Sequence, residues 1–307
     1  MLKNLLPITT RILNQEKNKN LFVLFLFCLF TIAISWLIQF KVYSDVSNGK
    51  TLYILISLLM ISWFPFLISI FLIKIFRLSF DMLLLIPMLS RKLTWGILIP
   101  LLAAAVGIKL SLNMSQINLI SPDSPIFLSG DTIFSALNLS LSGYIPIILF
   151  CVVVSLGTEL SFRSFVVELM NKVKIKNSWL FAGLIQFIAF VPFLWFGYFG
   201  GGERNILYII FWLVLFLSLS GFYVWLSILP AFDPKEAKLK KLKIDAKRSL
   251  ILPIISSCLY LNIYYVVAAR TLVENGNLWM SGPANVITVV IYFIITIFLL
   301  MTKRLKY

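Results

Sequence analysis

The sequence predicts an all-α protein, a polytopic bundle of about eight membrane-spanning helices with both termini in the cytoplasm. Hydrophobic residues make up 60% of the 307 residues and charged residues only 13%. A soluble protein of this length cannot bury so much apolar surface. The charged residues also collect between long apolar runs instead of within them. We therefore expect an integral, multi-pass membrane protein.

The apolar runs have the length of about 20 residues that an α-helix needs to cross the hydrocarbon core. The predicted spans cover residues 21–40, 52–76, 93–112, 144–170, 179–199, 206–229, 250–268 and 284–301. Residues 82–87 are apolar but too few to span, so we expect them to lie in the membrane interface. The chain divides into an N-terminal transmembrane region, residues 1–143, with three spans and this segment, and a transmembrane core, residues 144–307, with five.

Basic residues favour one side of the membrane. If the N-terminus is cytoplasmic, the dense clusters at residues 77–92, 172–176, 235–248 and 303–306 all lie on the cytoplasmic side. These basic loops predict contacts with anionic lipid and, for the lysine-rich loop 233–248, a solvated face. The net charge of +15 does not indicate nucleic-acid binding, because no loop is long enough to fold into a basic binding face.

The residue types exclude several kinds of catalysis. The chain has no histidine, which removes the usual general base and the commonest metal ligand. Its three cysteines, Cys28, Cys151 and Cys258, lie in apolar runs without metal-like spacing, and we expect them to be small buried side chains. Ordinary zinc and Ser-His-Asp mechanisms are therefore excluded, and we expect neither a metal nor a cofactor.

Glu159 and Arg163 stand inside the fourth predicted span. Residues four apart lie on one helical face, one turn from each other. Removing either charge from water costs several kcal/mol unless it finds a partner. The spacing therefore predicts an ion pair inside the bundle, and a charge at this depth also marks a candidate functional site.

Three stretches of the second half resemble the motifs of a known family. Thr158-Glu159-Leu160-Ser161-Phe162-Arg163 resembles the Glu-Glu-x-x-x-Arg motif of the CAAX protease and bacteriocin-processing (CPBP, or Abi) family of intramembrane proteases. Residues 187–192 resemble its Phe-x-x-x-His motif, and residues 265–285 the approach to its His-x-x-x-Asn motif. The resemblance covers roughly residues 144–302 and implies a helical membrane fold with an intramembrane site.

The positions that would carry the chemistry depart from the family pattern. Thr158 stands where the family has its water-activating glutamate, Val191 and Asn285 where it has histidines, and Val289 where it has asparagine. Glu159 and Arg163 match the family, in which this pair is architectural. At 1.5 Å per residue, Glu159, Val191 and Val289 each lie about 20 Å above the basic cytoplasmic ends of their helices. The resemblance thus implies a degenerate member that has lost its catalytic residues.

Three functions stay open at this point. The first is an inactive, CPBP-like binding or scaffold protein, or a subunit of a complex with other membrane proteins. The second is an active CPBP-type endopeptidase that uses Glu159 as base, with Thr158 and Asn285 as hydrogen-bond donors. The third is a small-solute transporter whose path is lined by Glu159, Arg163, Gln186 and Asn262, although no internal repeat is visible.

Overall fold

The computed structural model describes residues 6–46, 52–83, 91–113, 118–119, 141–196, 206–228, 248–272, 285–302 and 304–305. Within these ranges the chain is mostly helical. The helices are α1 (Leu6–Val46), α2 (Leu52–Ile75), α3 (Leu93–Asn113), α4 (Leu141–Thr158), α5 (Val167–Lys172), α6 (Ser178–Trp195), α7 (Ile206–Ser227), α8 (Ile251–Arg270) and α9 (Val286–Met301). A π-helical segment, Glu159–Val166, joins α4 to α5. A 3₁₀ turn, Phe80–Leu83, follows α2, and the two-residue strands β1 (Asn118–Leu119) and β2 (Thr271–Leu272) pair antiparallel.

Within the described ranges, five helical stretches are long and apolar enough to cross a membrane. They are Gln15–Tyr43, Ile56–Ile75, Ile148–Lys172, Ser178–Trp195 and Ile206–Ser227. Shorter apolar helices cover Leu93–Gly107, Ile251–Ile263 and Val286–Met301. The predicted class, an apolar helical protein suited to a membrane, is thus confirmed.

The π-helical segment lies at the centre of the helix packing. Helix α1 packs against α2, α5 and α6, α2 packs against α4, and α7 packs against α6, α8 and α9. Helix α8 also packs against α3 and α4. The segment itself contacts α2, α6, α7 and the 3₁₀ turn, and all its residues are buried. The charged pair of the sequence therefore belongs to the most enclosed part of the fold.

Pro192 interrupts the hydrogen-bond ladder of α6, and α1 supplies the missing donor. Proline has no N–H, so the carbonyl four residues earlier loses its usual partner. That carbonyl belongs to Ile188, and the indole Nε1 of Trp36 donates to it at 2.8 Å.

Gln39, one turn further along α1, bonds to the same part of α6. Its Nε2 donates to the carbonyl of Ala189 at 2.6 Å, and its Oε1 accepts from the N–H of Phe193 at 2.8 Å. In an unbroken α-helix these two backbone groups would bond to each other. The buried amide of Gln39 therefore replaces one rung of the α6 ladder and joins the first half of the chain to the second.

The segment that we expected in the membrane interface begins inside the bundle. Met82 and Leu83 are buried in the core. The carbonyl of Met82 accepts a hydrogen bond from Ser164 Oγ at 2.6 Å, because a hydroxyl buried among apolar helices needs an acceptor. These two residues therefore pack against the bundle, and residues 84–87 lie outside the described ones.

Arg248, which we assigned to a solvated lysine-rich loop, is buried. Its guanidinium donates to Ser227 Oγ at 3.1 and 3.3 Å and lies 3.6 Å from the carboxylate of Glu168. The hydroxyl and the carboxylate offset its desolvation. The solvated face is therefore wrong for Arg248, and residues 229–247 lie outside the described part of the chain.

Lys92 bonds to the same end of α7. Its Nζ donates to the carbonyls of Trp225 and Ile228, each at 2.6 Å. Burial, together with the nearby positive charge of Arg304, lowers the pKa of Lys92 to about 8. A cation at a helix C-terminus satisfies carbonyls that have no partner within the helix.

The first prediction concerns Gln39. Gln39→Leu is expected to lower the free energy of unfolding by about 2–4 kcal/mol, because it leaves a buried N–H and a buried carbonyl of α6 without partners. Thermal unfolding of the purified protein in mild detergent measures this loss. Leu37→Ala is the matched control on the same helix, because Leu37 is 69% exposed. Equal losses in the two variants would contradict the bridging role of Gln39.

Candidate functional site

A cavity of about 100 Å³ lies between α2, α4, α6, α7, α8 and the π-helical segment. Most of its wall is apolar. The polar side chains on the wall are Thr158, Glu159, Arg163, Gln186, Tyr223, Ser257 and Tyr260. The cavity is the place where the charges of the fourth predicted span meet polar groups from the second half of the chain.

Two hydroxyl groups accompany the change from α-helix to π-helix at the cavity wall. Thr158 Oγ1 donates to the carbonyls of Val154 and Ser155, both at 3.0 Å. Ser161 Oγ donates to the carbonyls of Gly157 and Thr158 at 2.8 and 3.1 Å. Such back-bonding competes with the backbone ladder and bends helices. The predicted span 144–170 is therefore not one regular α-helix, and π-helical turns are frequent at functional sites.

Gly157 allows α4 to approach α2 very closely beside the cavity. A Cβ at this position would lie 2.6 Å from the carbonyl oxygen of Ser62 and 3.1 Å from the ring of Trp63. The same Trp63 donates its indole N–H to the carbonyl of Val153 at 3.0 Å. Only glycine fits this approach, which sets how near α2 lies to the π-helical segment.

The structure places Glu159 and Arg163 against each other. Arg163 Nε lies 3.7 Å from Glu159 Oε2, and both side chains are only 1% exposed. A terminal nitrogen of Arg163 donates to Gln186 Oε1 from α6. Its guanidinium carbon lies 5.6 Å from the ring centre of Tyr223, within the range of a cation–π contact. Arg163 therefore joins the π-helical segment to α6 and α7.

One polar atom on each side chain of the ion pair makes no hydrogen bond within the described part of the chain. Glu159 Oε2 and Arg163 Nε have no hydrogen-bond partner among the described residues, because 3.7 Å exceeds the roughly 3.2 Å limit of an N–H···O bond. Attraction between opposite charges in a low-dielectric interior holds the pair. The cavity beside it has the volume of a few water molecules at about 30 Å³ each.

The cavity includes four of the residues that sequence reasoning singled out. They are Thr158, Glu159, Arg163 and Gln186. The Thr158 hydroxyl donates to carbonyls of its own helix. Val191 is half-buried and packs against the core, and Val289 is buried within the core. Neither valine is among the residues that line the cavity.

Asn285, the third residue proposed for chemistry, has a different role. It is the N-cap of α9, and its Oδ1 accepts from the N–H of Thr288 at 2.8 Å. Its side chain also stands against Gly107 of α3. Asn285 is absent from the cavity wall, so the structure does not bring it to Glu159.

Several residues around the cavity, or their contacts, were missed from the sequence. Gln186 was visible as a polar residue in an apolar run, but its bond to Arg163 was not. Tyr223 and Ser257 give no signal, because a tyrosine or a serine in an apolar helix is common. Asn262 is not on the cavity wall, and its Nδ2 lies 4.0 Å from Cys258 Sγ.

The described residues offer no obvious metal site. Among them, no group of three His, Cys, Asp or Glu side chains could hold a metal ion. The cysteines are all free: Cys151 is buried, and Cys28 and Cys258 are half-buried. The chemistry of the cavity is therefore that of one carboxylate, one guanidinium, an amide and hydroxyl groups.

The second prediction is a double-mutant cycle on the ion pair. Arg163→Met alone is expected to lower the free energy of unfolding by about 3–5 kcal/mol, because it leaves a buried carboxylate without its cation. Adding Glu159→Gln should recover part of that loss, since neither charge then stays buried alone. Unfolding of the four proteins in detergent measures the coupling. Strictly additive effects would contradict a direct interaction.

The third prediction concerns the approach of α4 to α2. Gly157→Ala is expected to destabilise the protein by about 1–3 kcal/mol, because its Cβ would overlap a backbone carbonyl that cannot move freely. Gly96→Ala is the matched control in α3, where the added Cβ would meet only ordinary contacts at 3.6 Å and beyond. The control should be neutral or slightly stabilising, since alanine favours helices. Similar losses in both variants would contradict the close approach.

Comparison of the chain with protein-family models, curated proteins and solved structures gave no match. No relative therefore supplies roles for the cavity residues. The features that bear on function are the ion pair, the size of the cavity and the apolar helices around it.

Proposed function

We propose that this chain is a multi-pass membrane protein that acts as a non-catalytic binding or scaffold subunit, resembling the CPBP intramembrane proteases in shape but not in activity. In this proposal it has about eight spans and cytoplasmic termini, and it resides in a bacterial plasma membrane. Its partners are the lipid bilayer and other membrane proteins. Three shorter apolar helices beside the five long ones support the span number.

The observation that carries the proposal is the environment of the Glu159 carboxylate. It is the one carboxylate on the cavity wall, it is buried, and it lies 3.7 Å from the Arg163 guanidinium. General-base catalysis needs a carboxylate positioned on the reacting water, together with donors for the developing oxyanion. The Thr158 hydroxyl is used within its own helix, and Asn285 caps another helix.

The small volume of the cavity also supports a non-catalytic role. Sites that bind ligands commonly enclose about 300–1,000 Å³, whereas this cavity encloses about 100 Å³. An extended peptide does not fit in that volume. We infer that the ion pair holds helices together and that any binding of partners uses outer surfaces of the bundle.

A residual endopeptidase is the second candidate, and one observation favours it. Glu159 Oε2 has no hydrogen-bond partner among the described residues and borders a cavity that has room for water. It also lies on a π-helical segment, a feature that is frequent at functional sites. In this alternative, substrate entry would have to widen the cavity between α2, α6 and α8.

The fourth prediction separates the two candidates. Purified protein in lipid nanodiscs is expected to leave a library of membrane-anchored peptides uncut, measured by mass spectrometry of the products. Glu159→Gln and the control Glu168→Gln, whose carboxylate is outside the cavity, should match the wild type. Cleavage that Glu159→Gln abolishes in a folded protein, and that Glu168→Gln preserves, would establish the endopeptidase.

Co-purification tests the binding role directly. The full chain, extracted from native membranes in mild detergent, should retain at least one other membrane protein in stoichiometric amount. Arg163→Met, which loosens the packing of the π-helical segment, should reduce that yield in parallel with its loss of thermal stability. A chain that purifies alone under several mild conditions would contradict the scaffold proposal.

A further inference from the structure

A second concave surface, here called the basic pocket, shares no lining residue with the cavity beside the ion pair. It encloses about 750 Å³, within the roughly 300–1,000 Å³ range of ligand sites. Its walls come from α1, from the turn after α2 and from the end of α5. The charged residues on its walls are Glu16, Lys17, Lys19, Arg77, Lys172 and Lys174.

The basic pocket carries five cations and one carboxylate, a surplus of four positive charges. Each of the five cationic side chains is exposed. Within the described part of the chain, none of them forms an ion pair or a side-chain hydrogen bond. Cations gathered on a concave surface repel one another unless an anion joins them. The charge pattern therefore calls for an anionic ligand.

The backbone at two of these cations is strained. Arg77 and Lys174 adopt left-handed conformations, with φ of 49° and 60°. Each follows a helix end, and the next residue donates its N–H to the carbonyl five residues earlier at 2.9 Å. Glycine is the usual residue at this position of the motif, because it has no Cβ. Here Arg77 and Lys174 occupy that position instead of glycine, and both border the basic pocket.

The three walls of the basic pocket lie at the ends of candidate membrane spans. One span begins at Gln15, beside Lys17 and Lys19, and another ends at Ile75, two residues before Arg77. The third, Ile148–Lys172, ends on a pocket residue. Spans of this length reach from the hydrocarbon core into the headgroup layer. In a membrane the pocket therefore opens at headgroup level.

Apolar side chains continue from the basic pocket along the outside of the bundle. On α1 these are Phe22 and Phe25, which are 53% and 60% exposed. On α2 they are Ile75 and Phe71, which are 55% and 57% exposed. Phe22 also packs edge-on against Phe76 at 6.0 Å, so the apolar surfaces of α1 and of the end of α2 meet. A ligand with an anionic head and apolar chains matches both surfaces.

We propose that the basic pocket binds the phosphoryl headgroup of an anionic phospholipid, with the acyl chains along the exposed side chains of α1 and α2. This inference rests on the membrane insertion that is part of the proposed function, but not on the absence of catalysis. Lys17, Lys19, Arg77, Lys172 and Lys174 supply the charge. The apolar surfaces of α1 and α2 select a lipid over a soluble phosphate.

The fifth prediction measures lipid affinity by native mass spectrometry of the full chain in detergent. Dioleoyl phosphatidylglycerol should bind to the wild type, and dioleoyl phosphatidylcholine should not compete with it. Arg77→Gln with Lys174→Gln is expected to weaken phosphatidylglycerol binding about 30-fold, since each basic residue near an anionic surface contributes about fivefold. Added salt should weaken the wild type more than this double variant.

A matched control removes the same charge nearby. Lys74→Gln with Lys176→Gln changes exposed lysines at the same two helix ends that are not on the pocket wall. This control should keep wild-type affinity. Equal losses in the two double variants would overturn the basic pocket and leave only general attraction to the charged face.

A second double variant at the same two positions separates binding from folding. Arg77→Gly with Lys174→Gly should unfold at a higher temperature than the wild type, because glycine relieves the left-handed strain. The same variant should lose phosphatidylglycerol as the glutamine variant does. Retained affinity in this stable protein would overturn the proposal.

Two further binding measurements distinguish a lipid from other anionic ligands. Glycerol 1-phosphate should bind far more weakly than the lipid, because it lacks acyl chains. If it binds equally well, the site is one for a soluble phosphate; if a hexaglutamate peptide displaces the lipid with higher affinity, the occupant is an acidic protein segment. Either result overturns the lipid assignment. Failure of membrane insertion itself would appear earlier, as protein in the soluble fraction of cells.

Discussion

The structure depends on the burial of two opposite charges inside an apolar bundle. Glu159 and Arg163 are both almost inaccessible, and the desolvation of each ion costs several kcal/mol. That cost constrains every element nearby: α6 must bring Gln186, α7 must bring Tyr223, and α4 must approach α2 through a glycine. The eight residues of the π-helical segment are all buried, so the pair has become the point around which the helices are arranged.

The same constraint acts on the backbone. A bundle of apolar helices offers few hydrogen-bond partners, so each break in a helical ladder needs a side chain from elsewhere. At Pro192 the side chains come from α1, and at the end of α7 the half-buried Lys92 donates to two backbone carbonyls. Polar residues that look scattered in the sequence are thus placed where the backbone lacks partners.

The sequence predicted side-chain contacts best where the two residues in contact lie close together in the chain. The spacing of Glu159 and Arg163 anticipated their contact, and runs of apolar residues gave the order of the helices. The prediction was weakest for contacts between distant elements, such as Gln39 with Ala189, 150 residues apart. The helical rise gave a depth for Glu159, Val191 and Val289, but depth does not determine which face of a helix a side chain occupies. For that reason Val289 lies in the core and Val191 packs against it, and neither lines the cavity.

The bond between α1 and α6 has a consequence for biogenesis. Thr31, Ser35 and Gln39 are all buried in the finished protein, yet α1 leaves the ribosome long before α6 exists. At about 5–20 residues per second, the 150 residues between Gln39 and Ala189 take roughly 8–30 s to synthesise. During that interval the side chain of Gln39 lacks its hydrogen-bond partners on α6. The insertion machinery or a membrane chaperone must shelter it from lipid until the sixth helix arrives.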